Sequence, residues 1–183
     1  MYDVPPDVSA AIVPGGAPVA VSTAVPGQNA RATFTGTGGQ RVSLDVSDVT
    51  VGTSVCCSTK VSILKPDGKT LAGTTVGTNG GFIDTQTLPS TGTYTILVDP
   101  QGSPTGDATL TLYDVPADAA GTIVPGGPDA TVSTTVPGQN ARVTFDGVSG
   151  QRVSLDVSGV TMGTSLCCGI KVSILRGSGT VIT

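Results

Sequence analysis

The sequence predicts an all-β protein made of tandem antiparallel β-sandwich modules of the immunoglobulin-like or jelly-roll-like kind. The first observation behind this is composition: the chain has 26 Gly and 13 Pro among abundant Thr, Val and Ser, a mixture typical of short strands joined by tight turns. The second is the lack of Glu and the scarcity of Lys, the usual residues of helix surfaces. We therefore expect little or no helix.

The third observation is an internal repeat. Gln40–Leu64 (QRVSLDVSDVTVGTSVCCSTKVSIL) returns as Gln151–Leu175, displaced by 111 residues without a gap. Aligning Tyr2–Ala72 with Tyr113–Thr183 gives 45 identities in 71 positions by direct count. A period of about one domain length indicates an array of like modules.

The repeat sets the predicted domain boundaries. Residues 1–112 are the first repeat, with a connector at 2–16 and a body at 17–112, and residues 113–183 are the second repeat. The second repeat stops after the KVSIL hairpin, so this sequence holds no second counterpart of Gly73–Leu112. We expect the chain to be a window from a longer tandem array, with its second module incomplete.

Alternation of apolar and polar residues predicts the strands of the first repeat. In Gln40–Ser47 the apolar Val42, Leu44 and Val46 alternate with polar residues, the pattern of a half-buried strand. Pro-Gly and Pro-Asp-Gly turns separate such runs, and Tyr94 falls on an inward face. About eight short strands in roughly 100 residues favour a sandwich. In order, they are Val19–Val25, Ala30–Thr35, Gln40–Ser47, Lys60–Leu64, Lys69–Val76, Phe82–Leu88, Thr93–Asp99 and Ala108–Leu112.

The order of four motifs supports this fold by resemblance. NARATFTGTGGQRVSLDVS, KVSILKPDGKTL, LPSTGTYTILVD and GDATLTLYDV resemble the bacterial pre-peptidase C-terminal domain family and related tandem modules of large secreted bacterial surface proteins. The match covers about Ala10–Leu112 and the second repeat from Gly121. The resemblance implies a non-catalytic, secreted β-sandwich that is appended to other domains or strung in arrays. The Cys-Cys pair before KVSIL departs from the family pattern, so no ligand-binding role is carried over.

The connectors predict where modules meet. YDVPP at residue 2 and YDVPA at residue 113 place prolines in an extended segment that cannot continue a ladder. We expect successive modules to pack there and to be held at a fixed angle. The module-seam residues predicted from this pattern are Tyr2, Pro5, Tyr113 and Pro116.

Two vicinal cysteine pairs, Cys56–Cys57 and Cys167–Cys168, are the disulfide candidates. Adjacent trans residues have Cα atoms about 3.8 Å apart, below the roughly 4.4 Å at which disulfides begin, so a vicinal bridge would be strained. If the strand through Val61 extends back, Cys57 points inward and Cys56 outward, where it could join another chain. Vicinal bridges, crosslinks between chains or modules, and free thiols all stay open. A four-cysteine zinc site lacks the usual C-x-x-C spacing.

The sequence gives little support for catalysis or for a bound cofactor. The chain has no His to act as a general base, so we expect no enzyme and no cofactor. Calcium takes oxygen ligands, but no D-x-D-x-D-G loop is present, and Asp48 and Asp67 become Gly159 and Ser178 in the second repeat. Turn formation is the favoured role of the aspartates that could be considered for calcium, Asp45, Asp48, Asp67 and Asp84.

Charge and hydropathy restrict the partners. A net charge of −4 with nine scattered basic residues gives no nucleic-acid footprint, and no apolar run approaches the roughly 18 residues of a membrane span. We expect an extracellular, cell-surface structural or adhesive protein: a stalk, spacer or filament subunit whose partners are neighbouring copies, assembled by strand complementation or disulfides. The alternative is a carbohydrate- or protein-binding accessory module of a secreted enzyme. In that alternative a glycan or a protein would bind the loops Thr75–Gly81 and Pro100–Gly106.

Overall fold

The computed structural model describes residues 1–51, 58–161 and 169–182. Those residues contain eleven β-strands and no helix, which confirms the predicted all-β class. They divide into two compact units, Met1–Phe145 and Asp146–Thr183. Each unit is considered by itself below.

The first unit contains a β-sandwich of two sheets. One sheet has the strand order β1-β3-β8-β5-β6, the other has the order β2-β9-β4-β7, and β10 and β11 form a separate pair. The strands are β1 Val8–Ala11, β2 Val19–Thr23, β3 Ala30–Gly36, β4 Arg41–Ser47, β5 Thr59–Leu64, β6 Thr70–Val76, β7 Gly81–Thr87, β8 Gly92–Pro100, β9 Gly106–Asp114, β10 Ala119–Thr122 and β11 Ala141–Thr144.

The core lies between the inner faces of the two sheets. Leu44 of β4 and Leu110 of β9 come from one sheet, Ile63 of β5 and Ile96 of β8 from the other, and all four are 0% exposed. Side chains of a strand alternate between its faces, so the period-two pattern of the sequence becomes this layer. The predicted β-sandwich is confirmed.

Two strand pairs are parallel, a feature that the sequence analysis did not predict. Val8–Ala11 pairs with Ala30–Thr33, and Ala119–Thr122 pairs with Ala141–Thr144 in the same manner 111 residues later. Both β1 and β10 lie in segments predicted to be connectors without strands. Pro5 and Pro6 lie upstream of β1 and Pro14 lies downstream of it, so the amides of Val8–Ala11 are free to enter a ladder.

The second unit contains less regular secondary structure than the internal repeat predicts. Its described residues, 146–161 and 169–182, form no strand longer than the isolated bridge between Leu175 and Val181. The predicted second copy of the Gln40–Ser47 strand is therefore wrong for this chain. In the first repeat β4 pairs with β7 and β9, and β5 with β6 and β8, and no such ladder forms within residues 146–161 and 169–182.

Tyr94 anchors the inner face of β8. It is 0% exposed, as its place in the alternation predicted, and its ring stacks on Phe34 with centroids 5.3 Å apart. Its hydroxyl donates a 2.7 Å hydrogen bond to the carbonyl oxygen of Ser90, four residues upstream. The bond ties the turn before β8 to the strand, as in the tyrosine corners of other sandwiches.

We expect Tyr94→Phe to lower the free energy of unfolding by about 1 kcal/mol, because the Ser90 carbonyl loses its hydrogen-bond donor. Urea denaturation followed by circular dichroism measures the change. Tyr113→Phe is the matched control, since Tyr113 lies half-buried in β9, and its effect should stay within about 0.5 kcal/mol. Equal losses in the two variants would contradict the assignment.

Candidate functional site

The outer face of β4 carries a serine that water does not reach. Ser43 points away from the core, between the inward-facing Val42 and Leu44, yet it is 0% exposed. Its hydroxyl donates a 2.7 Å hydrogen bond to the carbonyl oxygen of Pro137. A turn of the second repeat therefore covers this position of the first sandwich.

A β-bulge brings a second hydroxyl beside Ser43. The β4–β7 ladder pairs Val42 with Gln86 but Leu44 with Ile83, so two residues of β7 face Ser43 and the strand is locally re-aimed. One of the two is Thr85, whose hydroxyl donates a 2.6 Å hydrogen bond to the carbonyl oxygen of Gly138. Two adjacent strands thus present hydroxyl donors to two successive carbonyls of one turn.

The turn can sit this close because residue 138 is glycine. Gly138 has φ +87°, and a Cβ there would lie 2.6 Å from the Thr85 hydroxyl oxygen and 2.9 Å from the Ser43 Cβ. Both the left-handed backbone and the lack of space exclude a side chain. Gly27, its counterpart in the first repeat, has φ +86°, but a Cβ there would approach only Val4, at 3.7 Å.

An ion pair and a backbone hydrogen bond complete the contact. Arg41 Nη2 lies 2.7 Å from Asp118 Oδ1, and the amide of Val115 donates a 2.8 Å hydrogen bond to the carbonyl of Arg41. The side chains of Arg41 and Asp118 are 25% and 32% exposed, so their pairing stabilises the contact by less than about 1 kcal/mol.

We call Arg41, Ser43 and Thr85 the socket, and Asp118, Pro137 and Gly138 the second plug. A glutamine braces this plug from within the second repeat. The side chain of Gln139 accepts a 2.8 Å hydrogen bond from the amide of Thr135 and donates a 2.7 Å hydrogen bond to the carbonyl of Ala117. The plug is therefore a turn that its own glutamine holds to residues 117 and 135 of the same repeat.

The first repeat builds the same turn. Gln28 accepts a 2.9 Å hydrogen bond from the amide of Ala24 and donates a 3.0 Å hydrogen bond to the carbonyl of Pro6. We call the counterpart residues Asp7, Pro26 and Gly27 the first plug. Its carboxylate pairs with Arg31 of the same repeat, with Nε and Oδ2 2.7 Å apart.

The bonds of this contact described above involve none of the four seam residues predicted from the sequence. Tyr113 is half-buried in β9, opposite Ser43 in the ladder, and Pro116 is exposed. Tyr2 is 66% exposed and Pro5 is also exposed. The sequence analysis missed the socket, because a serine and a threonine on the polar face of a strand look like solvated residues.

Cys56, Cys57, Cys167 and Cys168 all lie outside the described residues, so their connectivity stays a prediction.

The aspartates considered for calcium have separate local roles. Asp48 adopts φ +49°, a left-handed turn conformation that Asp tolerates and that Gly159 repeats. Asp67 accepts a 3.0 Å hydrogen bond from the amide of Lys69 within the β5–β6 turn, and Asp84 accepts one of 2.7 Å from Thr85. Within residues 1–51, 58–161 and 169–182, no three possible metal ligands come together.

One open depression lies at the edge of the other sheet. It has a volume of about 460 Å³ and is lined by Ala11–Pro14, Thr33–Thr35 and Thr93. Its walls are apolar groups and threonine hydroxyls without a charged side chain. The covered face of β4 makes more specific polar contacts than this depression does, so it is the stronger candidate for a functional site.

Comparison with solved structures finds distant likenesses. No protein-family model matches the chain, and no curated protein matches it. The chain is similar in structure to PliG of Aeromonas hydrophila, a periplasmic inhibitor of g-type lysozyme: identity is 10%, coverage is 58% of this chain and 98% of PliG, and the TM-score is 0.37.

A second similar structure is the pre-peptidase C-terminal domain of a collagenase from Bacillus anthracis. Identity is 12%, coverage is 60% of this chain and 99% of that domain, and the TM-score is 0.42. That domain belongs to the family resembled by the motifs of the first repeat. Both likenesses are too distant to bear on function. Among the described residues, no helix has the length and apolar character to cross a membrane.

Asp45 gives the β4 face a pH-dependent stability. Partial burial, and then the nearby Asp48 carboxylate, raise the pKa of Asp45 above its usual value. A raised pKa means that the folded state disfavours the charged form. The stability associated with this group is complete below its unfolded pKa of about 3.9 and is lost as pH rises through the folded pKa.

We therefore expect Asp45→Asn to be more stable than the wild type at about pH 7, with a difference that vanishes near about pH 3. Urea denaturation at the two pH values measures it. The control is Asp67→Ala: a hydrogen bond from the Lys69 amide is the main cause that lowers the pKa of Asp67. Its contribution is therefore present at neutral pH and lost as pH falls. The same pH trend in both variants would contradict this account.

Proposed function

We propose that this chain belongs to a non-enzymatic, extracellular structural protein, a stalk or spacer in which each β-sandwich is fixed to the next by a plug and a socket. One observation carries the proposal: Ser43 of the first repeat is fully buried and bonded to Pro137 of the second repeat. A tether that merely linked two domains would leave this serine in water.

The contact has the properties of a spacer joint. The chain leaves β9 through Val115, which is 4% exposed, and then returns to the same sandwich at the plug. An ion pair, two hydroxyl–carbonyl hydrogen bonds and one backbone hydrogen bond fix this path. In repeat arrays each module contacts only its neighbours, so such joints determine length and stiffness.

The chemistry of the socket fits a structural role. The Ser43 and Thr85 hydroxyls are engaged as donors to backbone carbonyls, and the chain has no His that could activate either as a nucleophile. Arg41 is held by a carboxylate of the same chain. The polar side chains of the socket are thus engaged within the joint.

Hydrogen–deuterium exchange tests the joint in the full chain. In the Ser43→Val/Thr85→Val variant we expect the Val115 amide to exchange about tenfold faster or more, since each lost hydrogen bond contributes about 1 kcal/mol and 1.4 kcal/mol corresponds to tenfold. The control Ser47→Val/Thr111→Val changes half-buried residues of β4 and β9 outside the socket. Unaltered exchange in the socket variant, or equal acceleration in both, would overturn the proposal.

The extracellular location has its own test. Oxidising compartments favour disulfides, so we expect native material to show Cys56–Cys57 and Cys167–Cys168 oxidised. Intact mass with and without reductant measures this: two bridges within the chain lower the mass by about 4 Da. A ladder that collapses on reduction would instead show crosslinks between chains. A monomer of unchanged mass, with all thiols free, would contradict the location.

A further inference from the structure

The chain reaches the first sandwich at one end and leaves it at the other. Val8, the first residue of β1, lies beside Ala30, where β3 begins. Asp114, the last residue of β9, lies beside Val42 near the start of β4, and β4 begins one turn after β3 ends. Tension between the incoming and outgoing segments therefore acts along the strands. We call these two ends of the sandwich the incoming end and the outgoing end.

Hydrogen bonds hold β1 to β3 along its whole length. The amides of Val8 and Ile12 donate 3.0 Å hydrogen bonds to the carbonyls of Asn29 and Thr33. Because the amides of a strand alternate in direction, that of Ala10 also points at β3, and the hydroxyl of Thr33 donates a 3.4 Å hydrogen bond to the Ala10 carbonyl. β1 and β3 run in parallel, so tension slides β1 along β3, and these bonds must break together.

Three further contacts attach the segment before β1 to the same strand. Arg31 Nε lies 2.7 Å from Asp7 Oδ2, and the amide of Asn29 donates a 3.4 Å hydrogen bond to Asp7 Oδ1. The side chain of Gln28 donates a 3.0 Å hydrogen bond to the carbonyl of Pro6. Their partners lie at the start of β3 or in the turn before it. Tension on the incoming segment thus meets β3 before it meets any other strand.

The pair that follows β1 is oriented less favourably for resisting tension. After β1 the chain crosses to the other sheet, where the amide of Gly15 donates a 2.8 Å hydrogen bond to the carbonyl of Leu112. β2 then pairs antiparallel with β9, beginning with Val19 beside Leu110. The start of β2 and the end of β9 both lie toward the outgoing end. Tension between them would open this pair from that end, one hydrogen bond at a time.

We propose that β1 is a latch that lets each repeat carry tension along a stalk, because it keeps the load from the β2–β9 pair. The second repeat builds the same latch in β10. The amides of Ala119 and Ile123 donate 2.9 and 3.0 Å hydrogen bonds to the carbonyls of Asn140 and Thr144, and the Thr144 hydroxyl donates one of 3.4 Å to the Gly121 carbonyl. The inference rests on the proposed function and deepens it, since a stalk transmits tension along its chain.

The test is single-molecule unfolding of the full chain at constant force in two directions. Handles at both chain ends load the sandwich from the incoming to the outgoing end. In the second geometry, a handle attached through a noncanonical amino acid at the exposed Thr78 replaces the C-terminal handle. Thr78 lies at the incoming end: Val76 lies beside Thr59 at the start of β5, and the starts of β5 and β3 both flank the end of β8.

The second geometry peels β1 away from its first bond, so the bonds of the latch break singly. Forced unfolding is governed by the unfolding barrier. We expect the first rupture of the sandwich to be at least about tenfold faster than under end-to-end load at the same force, a difference of about 1.4 kcal/mol. End-to-end unfolding of the sandwich is recognised by the released length, at most about 3.3–3.6 Å for each of residues 8–114.

A matched pair of proline variants tests the bonds themselves under end-to-end load. Ala10→Pro removes an amide that points at β3. The amide of Ala11 points away from β3 at the edge of the sheet, where proline is tolerated. We expect Ala10→Pro to rupture about tenfold faster than the wild type, a difference of about 1.4 kcal/mol. Ala11→Pro should stay within about twofold of the wild type, as for a surface substitution.

Two results would overturn the inference. Equal rupture rates in the two load directions would mean that β1 does not oppose the load. Equal acceleration by the two prolines would mean that the bonds between β1 and β3 do not set the barrier. The comparison of directions leaves every strand unchanged, so it decides the question also where Ala10→Pro fails to fold.

Hydrogen–deuterium exchange of the Val115 amide separates this inference from the proposed function. Fast exchange in the wild type would remove the joint between repeats and the proposed function. Arg41 and Asp114 both lie at the outgoing end, so the load crosses the sandwich in the same direction with the joint open or closed, and the rupture rates still judge the latch. Protection of Val115 with equal rupture rates would retain the joint and remove only the latch.

Discussion

The position of β4 at the interior of its sheet is the constraint on which the rest of the structure depends. β4 lies between β9 and β7, and its inward residues Val42, Leu44 and Val46 are at most 1% exposed. Burying each of these side chains contributes about 1.5–3 kcal/mol. Because side chains alternate, this register also fixes Arg41 and Ser43 on the outer face. A slip of one residue would exchange core and socket.

The bulge in β7 determines which side chains of that strand lie beside Ser43. Regular pairing would set one β7 residue opposite Ser43, but the bulge sets two and re-aims the chain at Thr85. Hydroxyl donors on neighbouring strands can then reach the carbonyls of Pro137 and Gly138. Hydroxyl–carbonyl bonds suit this place, because a buried hydroxyl without a partner would destabilise the fold by about 1–3 kcal/mol.

Local sequence was sufficient for most of the sandwich. Alternation predicted β4, and the Pro-Asp-Gly turn predicted the β5–β6 hairpin, because period-two patterns and turn residues are local signals. Local sequence was insufficient for β1, because its four residues VSAA show only weak apolar–polar alternation and pair in parallel with β3. The socket was missed because burial of Ser43 depends on a partner 94 residues away. The only hint was the recurrence of Arg-x-Ser and Pro-Gly-Gln in both repeats.

The two copies of β4 show why identical residues need not give identical structure. Leu44 is 0% exposed and its counterpart Leu155 is 49% exposed, although both lie in the same heptapeptide RVSLDVS. The difference lies in the neighbours, since β7 and β9 flank β4, whereas residues 151–158 pair with no strand.

The plug, unlike β4, has the same backbone conformation in both repeats. Its turn is held by a glutamine that bonds to a backbone amide four residues upstream and to a carbonyl 22 residues upstream, and by a glycine with positive φ, so both repeats form the same turn. This contrast separates the strand β4, which the second repeat does not reproduce, from the turn, which both repeats form. The joint therefore combines a socket that lies on a paired sheet and a plug that forms in both repeats.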